Sequence, residues 1–139
     1  MKYEFLENVA IADIAFRAHG KTVEELFENS GLALTETMAD LQKISLKVQR
    51  EIIMEGKNEQ ELLYNFLEEL VYIKDVDGIL FKNFKVKISQ NKMQAQCGGD
   101  TLEKIGRQNL RNDVKAITMH MFEIKKENGQ FSATVVVDI

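Results

Sequence analysis

The stretch N-E-Q-E-L-L-Y-N-F-L-E-E-L-V-Y-I-K-D-V-D-G-I-L-F, residues 58–81, decides the fold class because a helix, a break and a strand follow one another in it. Asn58, with Glu61 three residues later, is the pattern of a capped helix start. Apolar residues at three- and four-residue spacing then predict a helix that is buried along one side. They are Leu62, Leu63, Phe66, Leu67, Leu70 and Val71. The aspartate–glycine pair at 77–78 ends this pattern, and a strand is predicted over Ile79–Ile88.

An earlier segment predicts a second amphipathic helix. Thr22 and Glu25 form a capping box, in which the threonine oxygen accepts a hydrogen bond from the backbone N–H of Glu25 and the glutamate reaches back. Apolar residues at helical spacing follow this cap, and Gly31 weakens the helix by about 1 kcal/mol relative to alanine. The apolar residues are Val23, Leu26, Phe27, Leu34, Met38 and Leu41.

Extended segments surround the two helices. Ile14, Phe16 and Ala18 alternate with their neighbours at the period of a strand, and Asn128-Gly129 is a strong hairpin signal. The remaining predicted segments begin with Tyr3, Phe5 and Val9, continue with Ile44–Met54 (with Ile44, Leu46 and Val48 on one face) and a shorter polar strand that ends at Gly98-Gly99, and finish with Lys115–Lys125 and Gln130–Val137. Residues 100–113 show no clear period and predict a loop that contains a helical turn.

These elements predict one domain over residues 1–139. The chain has no proline, no low-complexity tract and no linker, so no domain boundary is indicated. Two helices with about six strands are typical of a two-layer α+β domain, in which both helices pack on one face of a mostly antiparallel sheet.

Composition excludes several classes of protein. Eighteen basic and 22 acidic residues give a net charge of −4, which argues against an independent nucleic-acid-binding domain. One cysteine excludes an internal disulfide and a multi-cysteine metal site. No apolar run approaches the roughly 18 residues that cross a bilayer, and the first residues lack the apolar core of a signal peptide. The sequence therefore predicts an intracellular, soluble, acidic domain.

Signatures of catalysis are missing from the sequence. It contains no Walker-type phosphate loop, no dinucleotide fingerprint, no nucleophile elbow and no H-E-x-x-H motif. His19 and His120 are its two histidines, so a nucleophilic triad would have few bases. Cys97 has no neighbour in the sequence that would lower its pKa, and is interpreted as a small residue at a strand end. The residues alone therefore point to no particular catalytic mechanism.

Carboxylates at the two ends of the chain are candidate metal ligands. The final residues, Val135 to Ile139, predict a strand that brings Asp138 and the terminal carboxylate close together. A third carboxylate, on Asp13, follows small apolar residues that favour partial burial. Together these oxygens could bind a hard cation such as calcium or magnesium. The alternatives are solvated acids at the terminus, and a turn cap or surface charge at Asp13.

The segment Lys115-Ala116-Ile117-Thr118-Met119-His120 carries further candidates. As a regular strand it would place Lys115, Ile117 and Met119 on one face and Thr118 and His120 on the other. The threonine and histidine could bind an anion or hold a loop, or they could be ordinary side chains on a half-exposed sheet.

Five stretches, in order, resemble the archease family. They cover essentially the whole chain, and although no single motif is unique, the combination is specific. The matching stretches are the A-D-I-A-F-R-A-H-G opening at 12–20, the helix start E-E-L-F-E-N at 24–29, L-L-Y-N-F-L-E-E-L at 62–70 with D-G-I-L-F at 77–81, K-A-I-T-M-H at 115–120 and the V-V-D-I ending at 136–139.

The resemblance implies a function that the residues alone do not suggest. Archease is an accessory protein of the GTP- and metal-dependent RNA ligase that joins 2′,3′-cyclic-phosphate and 5′-hydroxyl ends in tRNA splicing and RNA repair. It promotes guanylylation of the ligase and multiple turnover, and is not itself a ligase. Carried over, its metal ligands are Asp13, Asp138 and the carboxylate of Ile139. Calcium is the first expectation for the cation, with magnesium or manganese as alternatives.

The resemblance also implies partner contacts and a cellular location. Lys115 and His120 match family positions, and Arg107 aligns with an Arg-His pair, with Gln108 in place of the histidine. These three residues are expected to contact a protein partner in the cytoplasm, without strong direct binding of nucleic acid. Further departures from the family pattern are Ala10-Ile11, where His-Thr is frequent, and Gly99-Asp100, where Gly-Glu is frequent.

Two other functions stay open. The first is a chaperone-like module for a tRNA-modifying enzyme, such as a methyltransferase, which has also been proposed for the family. The second is a small metal-dependent hydrolase that uses Asp13 and Asp138, against which the shortage of histidines counts.

Overall fold

The structure, a computed structural model, describes residues 1–7 and 13–139. Within them, seven strands, two long helices and one short helix alternate along the chain. The elements are β1 (Tyr3–Leu6), β2 (Asp13–Gly20), α1 (Val23–Met38), β3 (Val48–Glu55), α2 (Glu59–Asp77), β4 (Ile79–Ser89), β5 (Lys92–Thr101), α3 (Leu102–Ile105), β6 (Ala116–Glu127) and β7 (Gln130–Asp138). Part of the first predicted extended segment, at Val9, lies outside the described residues.

Both long helices begin at the predicted caps. Thr22 Oγ1 accepts a hydrogen bond from Glu25 N at 3.0 Å, and Asn58 Oδ1 accepts one from Glu61 N at 2.8 Å. Gly78 ends α2 in a left-handed conformation with φ 64°, which glycine adopts without a steric penalty. The capping patterns and the aspartate–glycine break are therefore confirmed as the bounds of the helices.

The strands form two antiparallel sheets. One sheet has four strands in the order β1-β2-β7-β6, and the other has three in the order β3-β5-β4. The predicted α+β class is confirmed, but residues 1–7 and 13–139 contain seven strands, which divide between two sheets. Alternating hydrophobicity identifies a strand without naming its neighbour, and the neighbours are chosen by packing across the domain.

Helix α1 joins the two sheets, because it packs on both β2 and β4. Its side chains also bond backbone groups of β4: Thr35 Oγ1 donates to Phe81 O at 2.7 Å, and Glu28 Oε2 accepts from Val86 N at 2.9 Å. In the core, the ring of Phe66 on α2 stacks on a phenylalanine of α1 with a centroid separation of 6.0 Å. The predicted apolar stripe of α2 is buried from Leu62 to Val71.

Several predicted boundaries are wrong. Helix α1 ends at Met38, so Leu41 belongs to a short 3-10 turn instead. The third strand begins at Val48 rather than at Ile44, because Ile44 is buried whereas Leu46 is 46% exposed, which breaks the expected alternation. Part of the predicted loop over 100–113 is ordered as the end of β5, α3 and a second 3-10 turn.

Strand β5 differs most from its prediction. It is the central strand of its sheet, ten residues long, and its alternate residues Met93, Ala95 and Cys97 are fully buried. The glutamines between them face outwards, which explains why the segment resembles a polar strand in the sequence. Cys97 therefore lies within the strand, beneath the sheet, and not at a strand end.

No helix among the described residues is long and apolar enough to span a membrane.

Burial of Cys97 predicts an alkaline loss of stability. Desolvation raises the pKa of this thiol from 9.0 to about 12. Between those two pH values the thiol of the folded protein keeps a proton that the unfolded chain has lost. The contribution of Cys97 to the free energy of unfolding is therefore complete below pH 9, and it declines by about 1.4 kcal/mol per pH unit between pH 9 and the raised pKa. We expect the difference in unfolding free energy between wild type and Cys97→Ala to shrink from pH 9 to 10.5, as measured by urea denaturation. A difference independent of pH would contradict this.

Candidate functional site

Pairing of β2 with β7 places Asp13 directly opposite Asp138. Residues that face each other across antiparallel strands lie on the same side of the sheet, with Cβ atoms about 4.5–5.5 Å apart. Both aspartates are half-buried. The structure thus brings together two of the three predicted ligands from opposite ends of the chain.

The end of β7 is held from both sides and from below. Strand β7 lies between β2 and β6, and the backbone N–H of Lys115 donates to the carbonyl of Asp138 at 2.8 Å. Beneath the sheet, Val137 is fully buried, and the Ile139 side chain packs against the hydrophobic core. This anchoring restrains the Asp138 backbone opposite Asp13, and that the carboxylate of Ile139 is a third ligand stays a prediction.

Two facing carboxylates repel each other unless a cation or hydrogen-bond donors neutralise them. Among residues 1–7 and 13–139, neither Asp13 nor Asp138 forms an ion pair. In the same residues, no three His, Cys, Asp or Glu side chains are grouped to hold a metal, so a cation here would need a further oxygen from main chain, terminus or water. All the candidate ligand atoms are oxygens, which fits a hard divalent cation.

The family departures at Ala10 and Ile11 lie outside the described part of the chain.

The other predicted site residues are more widely distributed. Lys115 is exposed and adjoins the aspartate pair through its backbone bond to Asp138. Arg107 is exposed on a 3-10 turn that follows α3, and Gln108, in the same turn, is also exposed. The position of Asp100 is different again, since its side chain is buried near the end of β5. That Lys115, His120 and Arg107 contact a partner stays a prediction.

The predicted alternation from Lys115 to His120 is wrong beyond Thr118. Thr118 pairs with Val136 and Glu123 with Thr134, so residues 119–122 stand opposite one residue of β7. This irregularity turns Met119 and Met121 outwards, 64% and 51% exposed, with Met121 at φ 57°. His120 is exposed between them and does not share a regular face with Thr118, whose hydroxyl donates to Val136 O at 3.0 Å.

A polar depression of about 460 Å³ lies on the aspartate face of the four-stranded sheet, further along the strands. Arg17 donates to Thr134 Oγ1 there at 3.3 Å, and His19 lies 3.0 Å from Glu4 Oε2. Glu123 and Lys125 also line it. Charges of both signs are thus mixed in it, and the sequence analysis did not single it out, because β2 and β7 are distant in the chain.

Lys74, in the last turn of α2, was not predicted from the sequence as a functional residue. Its side chain is only 6% exposed and its ammonium bonds Val114 O, in the loop that leads to Lys115, at 2.7 Å. In the sequence, a lysine in the last turn of a helix indicates only a favourable charge near the helix C-terminus. Its burial could be recognised only once the loop was placed over it.

Comparison with known proteins identifies the family of the chain. The model of the Archease protein family (MTH1598/TM1083) matches residues 3–139. Proteins named "Protein archease" from Pyrococcus abyssi and Methanothermobacter thermautotrophicus are each 37% identical to the chain, covering 99% of it and 99% and 98% of their own lengths.

Solved structures give the same result. The solution structure of Methanobacterium thermoautotrophicum protein 1598 superposes with a TM-score of 0.83 at 36% identity, covering 99% of both chains. The crystal structure of an archease from Thermotoga maritima, described as a possible chaperone, shares the fold with a TM-score of 0.67 at 19% identity, covering 96% of this chain and 98% of its own. Because the family model matches residues 3–139 and the relatives match along 99% of the chain, the chain belongs to the archease family.

Proposed function

We propose that this protein is an accessory factor of the GTP- and metal-dependent RNA ligase that joins 2′,3′-cyclic-phosphate and 5′-hydroxyl RNA ends. Membership of the archease family supports the choice of partner. The observation that carries the proposal is the placement of Asp13 opposite Asp138, to which the proposal adds the carboxylate of Ile139 as a third ligand. In this proposal these oxygens bind a divalent cation, calcium first and magnesium or manganese otherwise.

The chemical role follows from charge. Guanylylation of a ligase brings the phosphates of GTP to a side-chain nucleophile, and a divalent cation stabilises the negative charge that develops in such a step. The part of this chain would be to hold the cation on a rigid sheet end and to present it to the ligase. Lys115, His120 and Arg107, all exposed, would contact the ligase, with Lys115 next to the aspartate pair. The RNA would be held by the ligase, which is consistent with a net charge of −4 here.

A non-enzymatic role agrees with the chemistry available. The aspartate pair has no histidine of the described residues bonded to it, and His19 is engaged with Glu4. A chaperone-like module for a tRNA-modifying enzyme, such as a methyltransferase, is the second candidate, and the description of the Thermotoga maritima relative as a possible chaperone favours it. Both functions would be exercised in the cytoplasm.

The first candidate predicts stimulation of the ligase from the same organism. We expect catalytic amounts of this protein to raise both the rate of ligase guanylylation and the number of ligation turnovers, because each cycle requires a new guanylylation. The measurement is transfer of labelled guanylate to purified ligase, with and without the protein, at fixed GTP and metal. Active ligase that shows no response would contradict the proposal.

Two controls separate the candidates. Affinity capture that recovers a methyltransferase and no ligase would favour the second function. Incubating the protein alone with a cyclic-phosphate RNA tests for hydrolysis, and activity that a chelator removes would contradict the non-enzymatic role.

A further inference from the structure

The ammonium of Lys74 is a buried charge with a complete set of partners. Its Nζ lies 2.5 Å from Asp113 Oδ1, 2.7 Å from Val114 O and 2.6 Å from Asp75 Oδ1. A buried charge costs several kcal/mol unless it is paired, and an ammonium has three protons to donate. The three oxygens therefore match its hydrogen-bonding capacity.

One peptide group connects this ammonium to the candidate site. The carbonyl of Val114, which accepts from Lys74, and the N–H of Lys115, which donates to Asp138 O at 2.8 Å, belong to the same peptide unit. Hydrogen bonds in series polarise one another, so the ammonium strengthens the N–H of Lys115 as a donor. A continuous path thus runs from α2 through the 114–115 peptide to the backbone of Asp138.

This path meets Asp138 on the side away from Asp13. Strand β2 holds Asp138 from one side through the register that pairs it with Asp13. On the other side the 114–115 peptide precedes the first residue of β6, and Val114 is fully buried. The orientation of that peptide therefore sets the position of the last residue of β7 relative to its partner.

We propose that Lys74 is a positioning residue for the carboxylate pair, which fixes the 114–115 peptide and thereby holds Asp138 in the orientation that binds a divalent cation. The cation-binding part of this inference rests on the proposed function. Lys74 does not contact the carboxylates of Asp13 and Asp138 directly, and in this proposal it acts through the peptide group between residues 114 and 115.

The charge of this anchor does not change with pH under physiological conditions. Desolvation alone would lower the pKa of Lys74, but the hydrogen bonds that its ammonium donates to Asp113 and Asp75, together with their negative charges, outweigh desolvation and raise the pKa above 10.5. The Lys74 ammonium therefore stays charged below pH 10.5, and its stabilising contribution is lost only when the pH rises through the raised pKa.

The test compares Lys74→Met with Lys92→Met, which makes the same charge change at an exposed position of the three-stranded sheet. We expect Lys74→Met to weaken binding of calcium chloride, measured by calorimetry, about 10-fold or more, as the loss of an outer-shell partner does. Removing a positive charge would by itself tighten cation binding. A weaker affinity would therefore show that the position of Asp138 relative to Asp13 has changed. Lys92→Met should bind calcium at least as well as wild type.

Amide hydrogen exchange tests the same inference without a metal. Lys74→Met should speed exchange of the Lys115 amide at least about 10-fold relative to amides of β3 and β5, because its bond to Asp138 loses its support. Asp113→Asn, which leaves the bond from Lys74 to Val114 in place, should have a smaller effect. If Lys74→Met does not fold, Lys74→Gln replaces it with the same measurements.

The outcomes are distinguishable. Unchanged exchange at Lys115, or faster exchange with unchanged calcium affinity, would overturn the positioning role of Lys74. Wild-type protein that binds no calcium, magnesium or manganese would instead overturn the metal-dependent function, and with it the cation-binding part of this inference.

Discussion

Replacing Asp138 by asparagine is expected to abolish stabilisation by divalent cations while leaving the fold intact. Changing even an outer partner of a metal ligand costs about 10- to 100-fold in affinity, so loss of a ligand charge should cost at least about 100-fold. At a calcium concentration 100 times its dissociation constant, wild-type protein should gain about 2.7 kcal/mol of unfolding free energy, and Asp138→Asn should gain almost none. Urea denaturation with and without calcium measures both.

The facing carboxylates also predict the sign of the effect without metal. Because Asp13 and Asp138 repel each other when no cation is bound, Asp138→Asn should be at least as stable as wild type in a chelator. Asp40→Asn is the matched control: it removes the same charge at the cap of a 3-10 turn, where asparagine also accepts from Gln42 N. It should respond to calcium as wild type does.

The same variants test function. Asp138→Asn, and a chain extended by one residue after Ile139, should stimulate ligase guanylylation far less than wild type, whereas Asp40→Asn should retain stimulation. Asp138→Asn with normal calcium affinity and normal stimulation would exclude the aspartate pair as the metal site. Loss of stimulation with normal calcium affinity would assign Asp138 to partner contact instead.

Replacing Gly99 by alanine should destabilise the domain far more than the same change at the neighbouring Gly98. A Cβ at this position would lie 1.9 Å from Leu80 O and 2.7 Å from Phe81 Cα, both backbone atoms of β4. Overpacking in a core costs about 1–3 kcal/mol when side chains can yield, and a collision with the backbone of the neighbouring strand should cost at least about 3 kcal/mol. Urea denaturation, or circular dichroism if the variant does not fold, provides the measurement.

Gly98 supplies the matched control in the same strand. Its Cβ would meet Gln49 Nε2 at 2.9 Å and Leu46 Cδ2 at 3.3 Å, and both are ends of side chains that can move. We expect Gly98→Ala to cost less than about 1 kcal/mol. Equal stability of the two variants would show that β4 moves aside easily at the irregularity between Phe81 and Asn83, where it pairs with these glycines.

Local features of the fold could be predicted because their physical cause is local. The caps at Thr22 and Asn58 depend on residues three positions apart, and the Asn128-Gly129 turn depends on two positive φ angles, 51° and 75°, that these residues tolerate. The strand predicted to begin at Ile44 failed for the opposite reason. An apolar alternation was present there, but a connecting segment that buries Ile44 produces the same pattern as a strand.

The residues of the candidate site could be predicted from local features, whereas their spatial arrangement could not. Asp13, Asp138 and Ile139 could be named from residue type, position and resemblance, since carboxylates at strand ends are chemically recognisable. Residue types and their spacing were thus sufficient to predict the two long helices with their N-terminal caps, the hairpin at 128–129 and the available carboxylates.

The position of β7 between β2 and β6, which places Asp13 opposite Asp138 from the other end of the sequence, could be seen only in the folded domain. The same packing buried Lys74 beneath the loop before β6. Pairings between distant strands carry no local signal: their free energy comes from burying apolar faces of the whole domain together, and that sum exists only once all the elements are assembled.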